Sequence, residues 1–343
     1  MKRLLVLVPM MAMLFGSIAH ADEPAWYQNF KISGNVFGDV YWVAKDHNKD
    51  IEGSNGYWIR RVYLTFDPKI TDTISGRLRF EASSAGDFTT SANMVPFVKD
   101  AYVQWKLASQ ELYIGLSGTP TFDLVESEWG YRPVEKTPLD LWGYGSSRDF
   151  GLALKGKALD KKLLYHAMLG NGSGTKGETD QGKKAMAAIG FAPTESFLVQ
   201  AYVDFENRPG DTNRKTYQVF AGFKGGWGRV GALAARQTRD SADGEDVDLD
   251  LVSLYGVVNT SDNSSLLARY DKTLDVIPGA DKISYYTFDK SSKSNLLIVG
   301  WDYRVHKRFS VIPNVSYAFY DAEGDAEAPD DDIIAKLTFS LSF

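Results

Sequence analysis

Residues 333–343 read Ile-Ile-Ala-Lys-Leu-Thr-Phe-Ser-Leu-Ser-Phe. In an extended chain, Ile333, Ala335, Leu337, Phe339, Leu341 and Phe343 share one face, and Ile334, Lys336, Thr338, Ser340 and Ser342 share the other. Such alternation is a strand signal, because successive side chains of a strand point to opposite sides. The stretch has the length of a tilted strand that crosses a bilayer, and it ends on an aromatic, as a strand reaching an interface does.

The same pattern recurs upstream. Phe197, Val199, Ala201, Val203 and Phe205 alternate with Leu198, Gln200, Tyr202, Asp204 and Glu206. Ile74, Gly76, Leu78, Phe80 and Ala82 alternate with Ser75, Arg77, Arg79 and Glu81. Ala101, Val103, Trp105 and Leu107 alternate with Asp100, Tyr102, Gln104 and Lys106. Read this way, the chain predicts sixteen strands, near 28–45, 56–67, 72–84, 97–107, 110–117, 148–157, 162–170, 183–192, 196–206, 215–224, 228–239, 247–259, 264–274, 294–304, 308–320 and 332–343. Those at 110–117, 228–239 and 247–259 alternate less cleanly.

The connections add a second signal. Short turns such as Asp67-Pro68-Lys69-Ile70 and Ala108-Ser109 alternate with long polar segments at 46–55, 85–96, 118–147, 171–182, 207–214, 240–246, 275–293 and 321–331. A sandwich has no reason to alternate so regularly. The fold class expected is therefore all-β: a transmembrane antiparallel β-barrel of about sixteen strands, with short periplasmic turns and long extracellular loops.

Alternation alone does not say which face is wet. The polar face carries bulky charges on many strands, and the apolar face is bracketed by aromatics: Phe30 with Trp42, Trp58 with Phe66, Phe197 with Phe205. Both features put the apolar face in lipid. Arg60 and Lys99 fall on the apolar register, which places them near a rim.

The N-terminus reads as an export signal. Lys2 and Arg3 precede the apolar run Leu4–Phe15, and Ala19-His20-Ala21 is a small-x-small cleavage pattern. Residues 1–21 are thus expected to be removed, leaving 22–343 as the barrel and the Gram-negative outer membrane as its destination. The remainder carries 36 basic against 44 acidic residues, an acidic balance that argues against nucleic acid as a partner. Cysteine is absent, so no disulfide and no thiolate metal site are available.

Sixteen strands enclose a lumen too wide for side chains to fill, which predicts a water-filled channel. Conduction needs a constriction with a charge pattern. Residues 118–147, the third long loop, are the candidate constriction: a loop of this length is uncommon without a function. It carries Asp123, Glu126, Glu128 and Glu135 against Arg132 and Lys136, with Phe122, Trp129, Tyr131, Trp142 and Tyr144 available to pack on a wall. The lumenal register supplies a basic wall patch: Lys31, Arg61, Arg77, Arg79 and Lys106. Such a patch either attracts anions or forms structural ion pairs with Asp39, Glu81 and Asp100. The acidic segments 240–250 and 321–332 read as solvated loops.

Catalysis has little support. His47, His166 and His306 stand far apart in no metal-binding spacing, and no G-x-S-x-G elbow occurs. No catalytic residue, metal or cofactor is expected. A barrel enzyme and an adhesion barrel are the competing readings.

Trp58-Ile-Arg-Arg-Val-Tyr-Leu-Thr-Phe-Asp-Pro-Lys-Ile70, Val98-Lys-Asp-Ala-Tyr-Val-Gln-Trp105, Leu112-Tyr-Ile-Gly115, Gly130-Tyr-Arg-Pro-Val-Glu135 and Arg148-Asp-Phe-Gly-Leu-Ala-Leu-Lys-Gly156 resemble the phosphate-selective porin family. The resemblance covers about residues 56–157. It implies a homotrimer in outer-membrane lipid and lipopolysaccharide, a third loop folded into the pore, and a column of Arg and Lys that guides anions. Arg61 and Arg132 match basic positions of that pattern. The chain departs from it at Leu116-Ser-Gly-Thr-Pro120, where the family carries a lysine. The expected function is passive diffusion of small hydrophilic or ionic solutes, with anions such as phosphate among them.

Overall fold

A computed structural model describes residues 29–322 and 327–343. The proposed export signal lies outside the described residues. Sixteen antiparallel strands form one closed barrel. In chain order they are β1 (Phe30–Lys45), β2 (Asn55–Pro68), β3 (Ile74–Ala82), β4 (Phe97–Leu107), β5 (Gln110–Gly118), β6 (Arg148–Ala158), β7 (Leu163–Gly170) and β8 (Lys184–Phe191). The second half holds β9 (Phe197–Glu206), β10 (Arg214–Gly225), β11 (Gly228–Arg239), β12 (Val247–Ser261), β13 (Ser264–Thr273), β14 (Lys293–His306), β15 (Phe309–Asp321) and β16 (Asp332–Ser342). Each strand pairs with its neighbours in sequence, and β1 pairs with β16, so no edge is left open. At the seam, Gly34 and Phe343 exchange both backbone hydrogen bonds at 3.0 Å, and the Phe343 ring lies over Gly34 where a Cβ would stand.

The side chains are distributed inside out. Along β9, Leu198, Gln200, Tyr202 and Asp204 are buried within the barrel, while Phe197, Val203 and Phe205 are exposed on its outer surface. On β10, Thr216, Gln218 and Phe220 are buried, and Tyr217, Val219 and Phe223 are exposed. The wet or packed side is the lumen, and the greasy side faces out.

Two β-bulges correct the sequence reading. Phe37 pairs with Arg61 and the next residue, Gly38, pairs with Ile59, so Arg60 is the extra residue of β2. A one-residue slip reverses the facing of everything beyond it. Trp58 therefore turns into the lumen, where its indole donates to Asp39 at 2.7 Å and stacks on Tyr41, and Tyr57 takes the outer position. Arg60 is not at a rim: it is 1 % exposed and points inward. Gly38 sits opposite the bulge, where a Cβ would meet the Trp58 carbonyl oxygen at 2.2 Å. On β4, Arg79 pairs with Asp100 and Phe80 with Val98, so Lys99 is the extra residue. Its ammonium turns to Glu81 at 2.9 Å. Each bulge takes a cation off the lipid register, where it would cost roughly 2–4 kcal/mol at mid-bilayer.

Strand β12 reads poorly as an alternating strand because its lumenal face is also apolar. Leu249, Leu251 and Val257 are buried in the same cluster as Trp129, Trp142 and Tyr144 of the long loop after β5.

Candidate functional site: a lumen narrowed by two inward loops

The connection between β5 and β6, residues 119–147, contains two short helices, α1 (Asp123–Trp129) and α2 (Pro138–Leu141). Gly130, with φ +71°, ends α1 in the left-handed conformation that glycine adopts without cost. The turn lets Trp129 and Tyr131 both pack inward. Phe122, Val125, Trp129, Tyr131, Leu139, Trp142 and Tyr144 are all buried.

The far wall supplies polar anchors to the loop's backbone. Arg229 donates to the Trp129 carbonyl at 3.0 Å, Gln237 to that of Tyr144 at 2.6 Å, and Gln218 to that of Thr121 at 3.4 Å. Arg269 reaches the Lys136 carbonyl while its guanidinium sits 5.4 Å from the Trp129 ring centre. Lys224 pairs with Glu128 at 2.9 Å, Tyr131 donates to Asp302 at 3.2 Å, and Trp142 to Asp271 at 3.3 Å. From β2, Arg60 donates to the Val134 carbonyl at 2.5 Å and pairs with Glu135 at 3.1 Å. The segment thus spans the lumen from its own strands to β10–β14 and back to β2.

These contacts sort the loop's charges. Burial alone would push the Glu135 carboxyl up, but Arg60 and Lys336 override it, and it lies well below the usual carboxylate range. Glu135 and Glu128 are anchors held by wall cations. Asp123 pairs with Lys155 of β6. Glu126 instead lies 3.6 Å from Arg132, on the side that faces β2–β6.

On that wall, Arg61 pairs with Glu81 at 2.8 Å, Arg79 with Asp100 at 3.3 Å, and Arg148 also with Asp100. Lys99 shares Glu81. Arg132 and Lys136 of the loop interact electrostatically with Glu126, Asp140 and the wall arginines. Six cations (Arg61, Arg79, Lys99, Arg132, Lys136 and Arg148) therefore face four carboxylates (Glu81, Asp100, Glu126 and Asp140).

The other expected wall cations occupy a different level. Arg77 makes two bonds to Asp67 at 2.7 and 3.1 Å. With Lys31 and Lys106 it lines a recess of about 500 Å³ by the 69–73 turn. The single patch expected from strand spacing is two groups, one beside the loop and one at the turn-side mouth. Arg60, Lys99 and Arg148 escaped the sequence reading of this wall: the first two because bulges reversed them, the third because it borders a loop.

A second inward loop reads in sequence only as a polar connection. Residues 274–292, between β13 and β14, bury Ile277, Tyr285, Tyr286 and Phe288. Tyr285 donates to the Ser84 carbonyl at 3.0 Å and packs on Trp58, with ring centres 4.9 Å apart. Tyr286 donates to Glu135 at 2.6 Å, and Phe288 lies 4.6 Å from Trp142. This loop therefore rests on the first one. The signal for it was present: Tyr285-Tyr286-Thr287-Phe288 is an aromatic run inside a polar loop.

Among the described residues, no histidine is hydrogen-bonded to a nucleophile. His47 bonds Asp332 at 2.8 Å, His166 lies 3.7 Å from Asp123, and His306 accepts from the Arg308 amide at 3.3 Å.

Solved structures with this architecture decide the fold family. The anion-selective porin from Comamonas acidovorans superposes with a TM-score of 0.67 over 92 % of this chain and 99 % of that one, at 13 % identity. The fold is that of the porins. Salmonella typhi OmpF, in a complex with daunomycin, matches with a TM-score of 0.67 at 14 % identity, covering 92 % of this chain and 97 % of that one. OmpT of Vibrio cholerae gives 0.63 at 15 % identity, with 92 % and 97 % covered. No family model matches the sequence, and no curated protein does. The porin barrel is shared with several porins, and nothing in these matches singles out the phosphate-selective group.

Proposed function

We propose that this protein is an outer-membrane porin: a passive diffusion channel for small hydrophilic and ionic solutes, with a weak preference for anions. The outward apolar face supports a lipid setting, because a closed sheet satisfies every backbone group without water. The observation that carries the reading is the six-to-four excess of cations over carboxylates where residues 119–147 face β2–β6. In this proposal the loop is the constriction, and Arg61, Arg79 and Arg132 with Lys136 line it. Such an excess focuses an attractive field for anions without fixing a single ligand. Phosphate is one anion it would pass.

The protein would work as a homotrimer in outer-membrane lipid and lipopolysaccharide, after removal of residues 1–21. A trimer form is on record for the similar OmpT of Vibrio cholerae. Purified protein in planar bilayers tests the function: stepwise conductance in KCl, with a reversal potential of anion-selective sign under a salt gradient. Absence of conductance from a folded barrel would defeat it, as would a strongly cation-selective potential. Cross-linking or native electrophoresis in mild detergent tests the trimer.

A further inference from the structure

We propose that the lumen holds a binding subsite for a small hydroxylated organic carboxylate, beneath helix α1 on the turn side of the barrel. This rests on the channel reading above and adds to it a site off the constriction. A cavity of about 660 Å³ lies between α1 and the wall formed by β4–β9. That volume suits a small-molecule pocket.

Its chemistry is divided. Lys106, Lys157 and Lys161 line it, and none makes an ion pair within 4 Å among the described residues. Two carboxylates also line it: Asp123 is paired with Lys155, and Glu111 accepts from the Tyr113 hydroxyl at 2.6 Å, a neutral donor that does not cancel its charge, so four lysines (Lys106, Lys155, Lys157 and Lys161) stand against two carboxylates. The cavity thus offers uncommitted positive charge. Leu124 of α1 and Leu164 of β7 supply an apolar surface, with Leu124 packed close to Gly190. Inorganic phosphate has no use for that surface. A carboxylate with a hydrocarbon or ring body does.

Two further atoms point to hydroxyl groups. His166 and Gln200 line the cavity at 8 % and 6 % exposure, and His166 Nε2 and Gln200 Oε1 are buried with no hydrogen-bond partner. Buried polar atoms are ordinarily paired. Both atoms are closed to water as the side chains stand, so in this proposal each turns toward the cavity to meet a ligand hydroxyl, which can donate and accept, whereas a bare hydrocarbon body leaves both unpaired.

The test is calorimetric titration of the folded full-length protein in detergent with 4-hydroxybenzoate, benzoate and acetate. Saturable binding should follow that order, with the hydroxyl improving affinity roughly tenfold. The double variant His166→Phe/Gln200→Leu should erase the preference for the hydroxylated probe. Lys157→Gln/Lys161→Gln should weaken benzoate and 4-hydroxybenzoate alike, and heat-modifiable migration reports that each variant is folded. Absence of saturable heat in the wild type overturns the site, as does acetate binding as well as benzoate. A hydroxyl preference that survives in His166→Phe/Gln200→Leu also overturns it. Should a variant fail to fold, the three-probe series on the wild type still decides. Channel function is read separately: 4-hydroxybenzoate should cause reversible blocks of the KCl current. A barrel that binds the probe but never conducts rejects the channel and keeps the site, and one that conducts without binding does the reverse.

Discussion

Arg60 Nη2 lies 3.1 Å from Glu135 Oε2, with both side chains buried. The pair joins a bulge in β2 to the tip of the loop that crosses the lumen. The pair is the shortest contact in a buried charge cluster, with Asp39 3.8 Å from Arg60 and Lys336 acting on Glu135, and buried charges persist only in such company. Tyr286 adds a hydrogen bond to the same carboxylate oxygen at 2.6 Å, so both inward loops meet at this point.

Removing the charge at Glu135 should therefore loosen the loop and leave the barrel intact. Glu135→Gln removes the nearer of two counter-ions of the buried Arg60 and leaves only Asp39 at 3.8 Å, so the loss should approach but not exceed the roughly 3–5 kcal/mol of a fully broken buried pair. The variant should migrate as a folded barrel, yet show noisier open-channel current and faster proteolysis within 119–147. Current traces as quiet as wild type would mean that the wall anchors Arg229, Gln237 and Arg269 hold the loop without this pair.

Charge reversal should separate the two levels of wall cations. Arg132→Glu changes the group beside the loop, converting six cations against four carboxylates into five against five. Arg77→Glu acts at the mouth, where Arg77 is already matched by Asp67. Reversal potentials in a KCl gradient should move toward cation preference for Arg132→Glu by several times more than for Arg77→Glu. Equal shifts would place the selective region elsewhere in the lumen.

The second inward loop should set the conductance. Tyr285 and Phe288 lodge it against Trp58 and Trp142. Truncating two buried aromatics removes about 3–5 kcal/mol of packing each when the site cannot collapse. Tyr285→Ala/Phe288→Ala should release residues 274–292 from the lumen and raise single-channel conductance, with strand content by circular dichroism unchanged. An unaltered conductance would show that the loop does not restrict the path.

Protonation of His47 should tighten the extracellular side. Its hydrogen bond to Asp332 raises the imidazole pKa, with the nearby carboxylates of Asp332, Asp46 and Asp289 adding to this against burial. A raised pKa favours the protonated, paired form, so the stabilisation is complete below the ordinary histidine value near 6.5. It is lost as pH rises through the folded-state value above that. Protection factors of the amides in residues 46–54, which divide out the base-catalysed intrinsic rate, should fall between about pH 6 and pH 8, and His47→Gln should remove that fall. A flat profile in the wild type would show that this contact carries no linkage.

The barrel was legible because a lipid-facing sheet obeys a rule of period two. Phe197 to Phe205 and Ile333 to Phe343 show it without interruption, and both segments are strands with those residues outward. The rule fails at Arg60 and Lys99, since a bulge inserts one residue and leaves the composition of the strand unchanged. It also blurs at β12, where Leu249 and Leu251 face loop aromatics in place of water.

Strand number, alternating turn lengths and the outward apolar face were all local properties of the chain, written in residues a few positions apart. Which charges remain available was not. Asp123, Glu126, Glu128 and Glu135 look alike in sequence, yet three are taken up by Lys155, Lys224 and Arg60 from distant strands. The inward course of residues 274–292 was equally hidden, because its partners Trp58, Glu135 and Trp142 come from other parts of the chain. Periodicity records which side of a strand a residue occupies; only closure of the barrel brings together the groups that neutralise one another across the lumen.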